Sequence, residues 1–247
     1  IIGGSLSRVA GEAVGTYAIT LGTLTPDHNH VLVIADAQFE IVERTFTITG
    51  DTHSLTYNGG TQTITGTSVT NLLNGHALSG ISYTASGADV GMYPGTFNGS
   101  FKVTDALGND VSSNYDMVQI PGKLTIVHKS VRVTANDLTV AYGDAVSLSA
   151  KVEGTFNSDT VSFDLTRESG DNVGTYVITP SGATTQGNYI VSYVKGILTI
   201  DYRDVTITTL NGSKTYGEVD PALSASVSGL LGSDEVDYTV TRAIGDN

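Results

Sequence analysis

Residues 167–200, RESGDNVGTYVITPSGATTQGNYIVSYVKGILTI, recur near the start of the chain as residues 8–41, RVAGEAVGTYAITLGTLTPDHNHVLVIADAQFEI, and the two align without a gap. A third version runs through ADVGMYPGTF and SNYDMVQIPGKLTI, and the last six residues, RAIGDN, begin a fourth. In Arg–x–x–Gly–acid–x–Val–Gly–Thr–Tyr the glycines fall at Gly11/Gly15 and Gly170/Gly174. Fifteen positions then lead to His30 and Tyr189, and nine more separate His30, Tyr115 and Tyr189 from Phe39, Leu124 and Leu198. Fixed spacing with drifting residues is the mark of a tandem module.

Working outward, five positions separate Ile41 from Phe46, Ile126 from Val131 and Ile200 from Val205. The crossings VERT, VHKS and DYRD are short and polar, which predicts neighbouring modules held in nearly fixed orientation. Eleven positions after each start stands a tyrosine, Tyr57, Tyr142 and Tyr216, followed by the turn chemistry of Asn-Gly, Gly-Asp or Gly-Glu. The expected organisation is a back half-module at 1–45, complete modules at 46–129 and 130–203, and a front half-module at 204–247. The opening IIGGS has neither an initiator methionine nor a signal pattern, so the expectation is an excerpt of something longer.

Within the modules, residues 15–20 alternate with Tyr17 and Ile19 on one face, a half-buried strand, and 32–34 and 39–41 are expected as two more. SLSAKVEG and ALSASVSG match at period two through Leu148, Ala150, Val152 and Leu223, Ala225, Val227. TFNSD, LLGSD and NLLNGH then read as turns, because no apolar period of 3.6 runs far enough for a helix. Asp159 and Asp234 lie eight residues before Arg167 and Arg242, which suggests an ion pair inside each module. Tyr57 to Tyr142 spans 85 positions against 74 from Tyr142 to Tyr216, and most of the excess falls in NGSFKVTDALGNDVSSN, 98–114, read as a lengthened hairpin. The fold class expected is all-β: tandem small modules, each a β-sandwich or a β-grasp-like sheet, strung into an elongated rod.

A formal charge of −13 has the wrong sign for displacing counterions from nucleic acid or for an anionic membrane surface, so neither is expected as a partner. Without a run of ~20 apolar residues, no membrane insertion is expected in this segment. The absence of cysteine excludes disulfides, thioesters and thiol nucleophiles, and fits secreted proteins that avoid thiols.

Candidate chemistry is thin. Twelve of eighteen aromatics are tyrosine, and eight fall at three recurring positions (57/142/216, 17/93/176 and 115/189), where a repeated structural niche outweighs a sugar-stacking platform. Tyr83, Tyr193 and Tyr202 lie outside those positions and are the better surface candidates. His28 and His30 would share a strand face, but zinc wants three or four convergent ligands. The groups 105–110, 157–159 and 234–237 do not match a calcium loop. No Gly-x-Ser-x-Gly, HExxH or phosphate-cradling loop appears, and the six lysines do not recur at a strand position suited to an isopeptide bond. No catalytic, cofactor-binding or metal residue is therefore assigned, and no enzyme activity is expected.

The Tyr–Gly opening (142–143, 216–217), the Val-Gly-Thr-Tyr-x-Ile strand and the closing Asn-Tyr…Gly-x-Leu-Thr-Ile resemble the bacterial MBG repeat of the Tyr–Gly type. The likeness is strongest over 131–247 and weaker over 46–129, where Tyr57-Asn58-Gly59 replaces Tyr-Gly. The resemblance implies a tandem module of large secreted and cell-surface adhesins, located outside the cell, and carries no catalytic residues. A structural stalk is thus the first functional expectation, with neighbouring repeats as partners. The alternatives are a module recognising a host or environmental glycan, mucin or protein through the 98–114 hairpin, and an accessory module of a secreted carbohydrate-active enzyme.

Overall fold

The computed structural model describes residues 3–243, which fall into two compact units divided between Lys129 and Ser130. Among the described residues the chain is all-β, with one 3-10 turn at Ser112–Asn114 and no α-helix.

The first unit begins with an antiparallel sheet of β1 (Ser7–Arg8), β2 (Gly15–Thr20) and β3 (Gln38–Ile41), in that order. A complete module follows: β4 (Arg44–Gly50), β5 (His53–Thr56), β6 (Gln62–Ile64), β7 (Thr67–Thr70), β8 (Ala77–Gly87), β9 (Gly91–Pro94), β10 (Thr96–Thr104), β11 (Tyr115–Ile120) and β12 (Lys123–Val127). They assemble as sheets β11-β4-β7, β5-β12-β9 and β10-β8-β6. β4 and β11 run parallel, as do β5 and β12. Alternation in RTFTITG sends Phe46 and Ile48 inward, and Phe46 meets Phe101 and Tyr115 edge-on at 5.5 and 5.8 Å between ring centroids.

The second unit holds β13 (Lys129–Ala135), β14 (Leu138–Ala141), β15 (Ala150–Glu153), β16 (Asp164–Arg167), β17 (Gly174–Ser181), β18 (Thr185–Gln186), β19 (Tyr189–Val194) and β20 (Gly196–Asp201). They form sheets β15-β13-β19-β18 and β14-β20-β17-β16. Ala135 of the first packs with Ile178, Leu198 and Ile200 of the second, so the two sheets share part of one core. The order β7-β4-β11 repeats β15-β13-β19, and β5-β12-β9 repeats β14-β20-β17. A two-stranded sheet, β21 (Thr206–Thr209) with β22 (Ala225–Ser228), ends the described chain. The fourth copy of the Arg–Gly motif falls mostly at 244–247, outside the described residues.

Three local expectations change. Residues 32–34 form no strand, because among the described residues no strand lies beside them to pair with. The 98–114 insertion does turn at Asp105–Gly108, closed by an antiparallel Thr104–Asp110 bridge, but β10 pairs along its length with β8 and its return arm is not a strand. The turn is held by the Asp105 carboxylate, which accepts from the Leu107 and Asn109 amides at 2.9 Å each and from Asn109 Nδ2 at 2.9 Å. The side-chain bond from Asn109 is the largest of the influences that hold Asp105 below the usual carboxylate pKa. Lastly, Arg167 pairs with Asp171 and Arg242 with Asp220, at 2.9 Å for the latter, and neither reaches the aspartate eight positions earlier.

Candidate functional site

The recurring polar residues converge on two constructions, a latch built on Arg8 and Arg167 (the first complete module has Thr84 in that place) and a cleft where one module meets the next. In the latch, Arg8 and Arg167 end β1 and β16 and fold their guanidinium groups back over the loop. Each donates to the carbonyl of the motif glycine (Gly11, Gly170) and to the acid that follows (Glu12, Asp171). Each also lies over the motif tyrosine, 5.2 Å from the Tyr17 centroid and 5.8 Å from that of Tyr176. Gly11 and Gly170 have φ of +153° and +138°, and a Cβ at either would strike that ring. This is why the pattern needs glycine four positions before the next glycine and six before tyrosine.

The tyrosine hydroxyl closes the latch by donating to the carbonyl four residues back: Tyr17 to Ala13 at 2.7 Å, Tyr93 to Asp89 at 2.9 Å, Tyr176 to Asn172 at 2.8 Å. These three tyrosines are loop fasteners. Replacing Tyr176 by phenylalanine removes one donor and leaves the ring, so the second module should lose about 0.5–1.5 kcal/mol. A denaturation midpoint that does not move would contradict the latch.

The second recurring set is equally internal. Tyr189 donates to Asp159 Oδ2 at 2.6 Å and accepts the Phe156 amide at 2.9 Å, and Tyr115 shares a 2.8 Å hydrogen bond with His76 Nδ1. His76 and Asp159 are the closing residues of matching turns, their amides donating to Leu73 and Phe156 carbonyls at 3.1 and 2.7 Å. Of the proposed surface tyrosines, Tyr83 is fully buried and donates to the Asp51 carbonyl at 2.9 Å; that reading is corrected. It fills space left by Gly50 and Gly95, where a Cβ would strike its ring, a signal visible only once β4 and β8 are placed. Tyr193 bonds the Ala183 carbonyl, and Tyr202 alone of the three is exposed.

The clefts occur at matching positions. In the second unit a cavity of about 470 Å³ is lined by Tyr142, Gly143, Asp171 and Ile200 on one side and Leu231 and Asp234 on the other. In the first unit a cavity of about 400 Å³ sets Glu12 and Ile41 against Leu73 and His76. Leu231 seats on Gly143, where a Cβ would collide with it, and in the first unit the Val14 amide donates to Asn114 Oδ1 at 2.7 Å. Asp144 at the cleft is neutralised by Arg203 at 2.9 Å. His30 bonds Asp27 at 2.5 Å, and among the described residues no three His, Cys, Asp or Glu side chains group as metal ligands.

Tyr142 follows directly on β14, whose partner is β20. The Tyr142 amide donates to the Asp201 carbonyl at 2.8 Å, Gly143 turns at φ +82°, and the Asp144 amide returns to Ala141 at 3.0 Å. Gly217 repeats the conformation at φ +87°, with the Glu218 amide on Thr215 at 3.1 Å. The model of the MBG domain of YGX type matches residues 131–199 and again 205–247. Residues 131–247 carry tandem MBG domains. No curated protein matches the chain. Tyr142-Gly143-Asp144 is thus a turn that leaves β14 after its parallel pairing with β20, and Gly143 is fixed both by left-handed φ and by Leu231, whereas Gly217 shares the φ alone. Tyr57-Asn58-Gly59 performs the same turn one residue longer, with the Tyr57 amide on Val127 at 2.9 Å and Gly59 at φ +81°.

Proposed function

We propose that this chain is a structural repeat region of a bacterial cell-surface or secreted adhesin, a stalk that holds other parts of the protein away from the cell and performs no turnover. The observation that carries the reading is that the repeated polar motifs are spent on holding modules together and to each other. The tyrosine hydroxyl bond, the turn after the Tyr-Gly tyrosine and the residues lining the clefts recur at matching positions. The tandem MBG match supports a repeat array, and the acidic surface suits an exposed, soluble location. Small-angle scattering tests it. The expected profile is that of a particle far longer than a globule of 25.7 kDa, and a compact profile would count against the stalk.

A second reading, glycan or protein recognition by the insertion after β10, is favoured by Leu107, an exposed leucine at the tip of a rigidly bonded turn present in one module only. A glycan array on the 247-residue chain separates the two: silence leaves the stalk, and a signal abolished by Leu107→Asp supports the insertion.

A further inference from the structure

Matching strands of the two complete modules differ at their outer edge. In the second unit β19 lies between β13 and β18. Thr185 pairs with Ile190 and Gln186 with Tyr189, and the Val191 amide donates to the Thr184 carbonyl at 2.8 Å. Tyr193 pins this short strand in place, its hydroxyl donating to the Ala183 carbonyl at 2.9 Å and accepting from Gln186 Nε2 at 3.3 Å. β11 is the counterpart of β19 in the first complete module, with Tyr115 standing for Tyr189. It has β4 on one side and, among the described residues, no strand on the other. The insertion takes the chain away: β10 pairs with β8, and the 3-10 turn at Ser112–Asn114 leads directly into β11 with no strand matching β18. Gln119 stands where Tyr193 pins the cover.

The Tyr115 amide donates to the Ser112 carbonyl, so it faces away from β4. Backbone groups alternate sides along a strand, which turns the N–H and C=O of Met117 and Gln119 the same way. The Val191 amide, counterpart of that of Met117, points outward in the same sense. Residues 117–120 hold no charge and no proline, and no bulge interrupts their pairing with β4. The usual devices against edge pairing are therefore missing here, whereas β15, an edge strand of the second unit, carries Lys151 and Glu153. Val118 and Ile120 stand 41% and 49% exposed on the outward face.

We propose that β11 pairs antiparallel with β11 of a second copy of this chain, joining two sheets across a two-fold axis. The backbone selects one register. Hydrogen-bonded pairs need outward-facing groups on both strands, so Met117 faces Gln119 of the second copy, Gln119 faces its Met117, and Val118 lies opposite its own counterpart. Sliding one way would call on the Tyr115 amide, which the Ser112 carbonyl already holds. Sliding the other way would call on Pro121, which has no N–H. In the remaining register Asp116 meets Ile120, so no like charges are opposed. The contact is isologous and closes at two copies, and so short a seam gives a weak dimer. β4, the insertion and β11 all belong to one complete module, and the pairing holds whether or not the chain is a stalk.

Sedimentation equilibrium of the 247-residue chain tests it. The mass should rise with concentration from 25.7 kDa toward twice that value and no further. Gln119→Pro removes an outward N–H and leaves the ladder to β4 intact, so this variant should be monomeric and folded. Val118→Lys and Val118→Asp, at an exposed position that tolerates either, should each associate several-fold more weakly than wild type. Their equimolar mixture should associate more tightly than either alone, because opposite charges then meet across the axis. The chain has no cysteine, so Val118→Cys should give a disulfide-linked dimer under mild oxidation, while Ile120→Cys, opposite Asp116, should not. A wild-type chain still monomeric at about 1 mM, charge variants that associate as wild type does, or Ile120→Cys crosslinking as readily as Val118→Cys would each overturn the pairing.

Discussion

Leu198→Ala is expected to destabilise the second module by about 2–5 kcal/mol, through lost apolar transfer and the cavity left behind. The side chain is fully buried in a core with Ile178, Ile200 and Ala135, against which Leu138, Val140 and Tyr176 pack from two strands. A module of 74 residues has roughly 4–11 kcal/mol of stability at typical values per residue, so this one change removes a large share of it. Leu124→Ala in the first complete module should behave alike, since Leu124 is equally buried on the matching strand. Chemical denaturation followed in each variant should show one transition shifted to lower denaturant and the other in place. A shift of both together, or of neither, would contradict independent equivalent cores.

The second large effect is expected at Gly122. A Cβ there would fall inside the contact distance of the Gly50 and Asp51 carbonyl oxygens, backbone atoms that cannot swing aside. Gly122→Ala should therefore cost about 1–3 kcal/mol or more, as overpacking does, although alanine in an unobstructed strand would gain about 0.5–1 kcal/mol over glycine. Gly196→Ala meets the Ala135 carbonyl from 2.6 Å and should fall in the same direction. Thermal unfolding decides the sign, and a raised midpoint in either variant would show that strands do not cross where the Gly-x-Leu-Thr-Ile motif places them.

The repeat, the all-β class and the turns were legible because each leaves a local mark. Alternation in GTYAIT and RTFTITG comes from one buried face, and Tyr-Gly-Asp or Tyr-Gly-Glu from a left-handed turn. Residues 32–34 differ because a short apolar run marks a segment able to pair, while pairing itself depends on a neighbouring strand, and among the described residues none lies beside it. The Asp159–Arg167 pairing failed for a related reason. Spacing of eight residues brings groups near only if the strand between them turns, and Arg167 is captured locally by the Gly170 carbonyl and Asp171 before it can reach farther. Tyr83 lay outside the repeating tyrosine positions because it belongs to β8, lengthened in the first complete module, and its burial depends on glycines thirty-three residues before and twelve after it. At the candidate sites, sequence could show which residues recur but not that their hydroxyls and guanidinium groups point into their own loops.

Expression of residues 130–203 alone, with amide hydrogen exchange across its unfolding transition, bears most directly on the modular organisation. Cooperative unfolding, with protected amides in β13, β14 and β20 as in the 247-residue chain, is the predicted result. A fragment that remains unprotected and unfolded while 130–247 folds would contradict it.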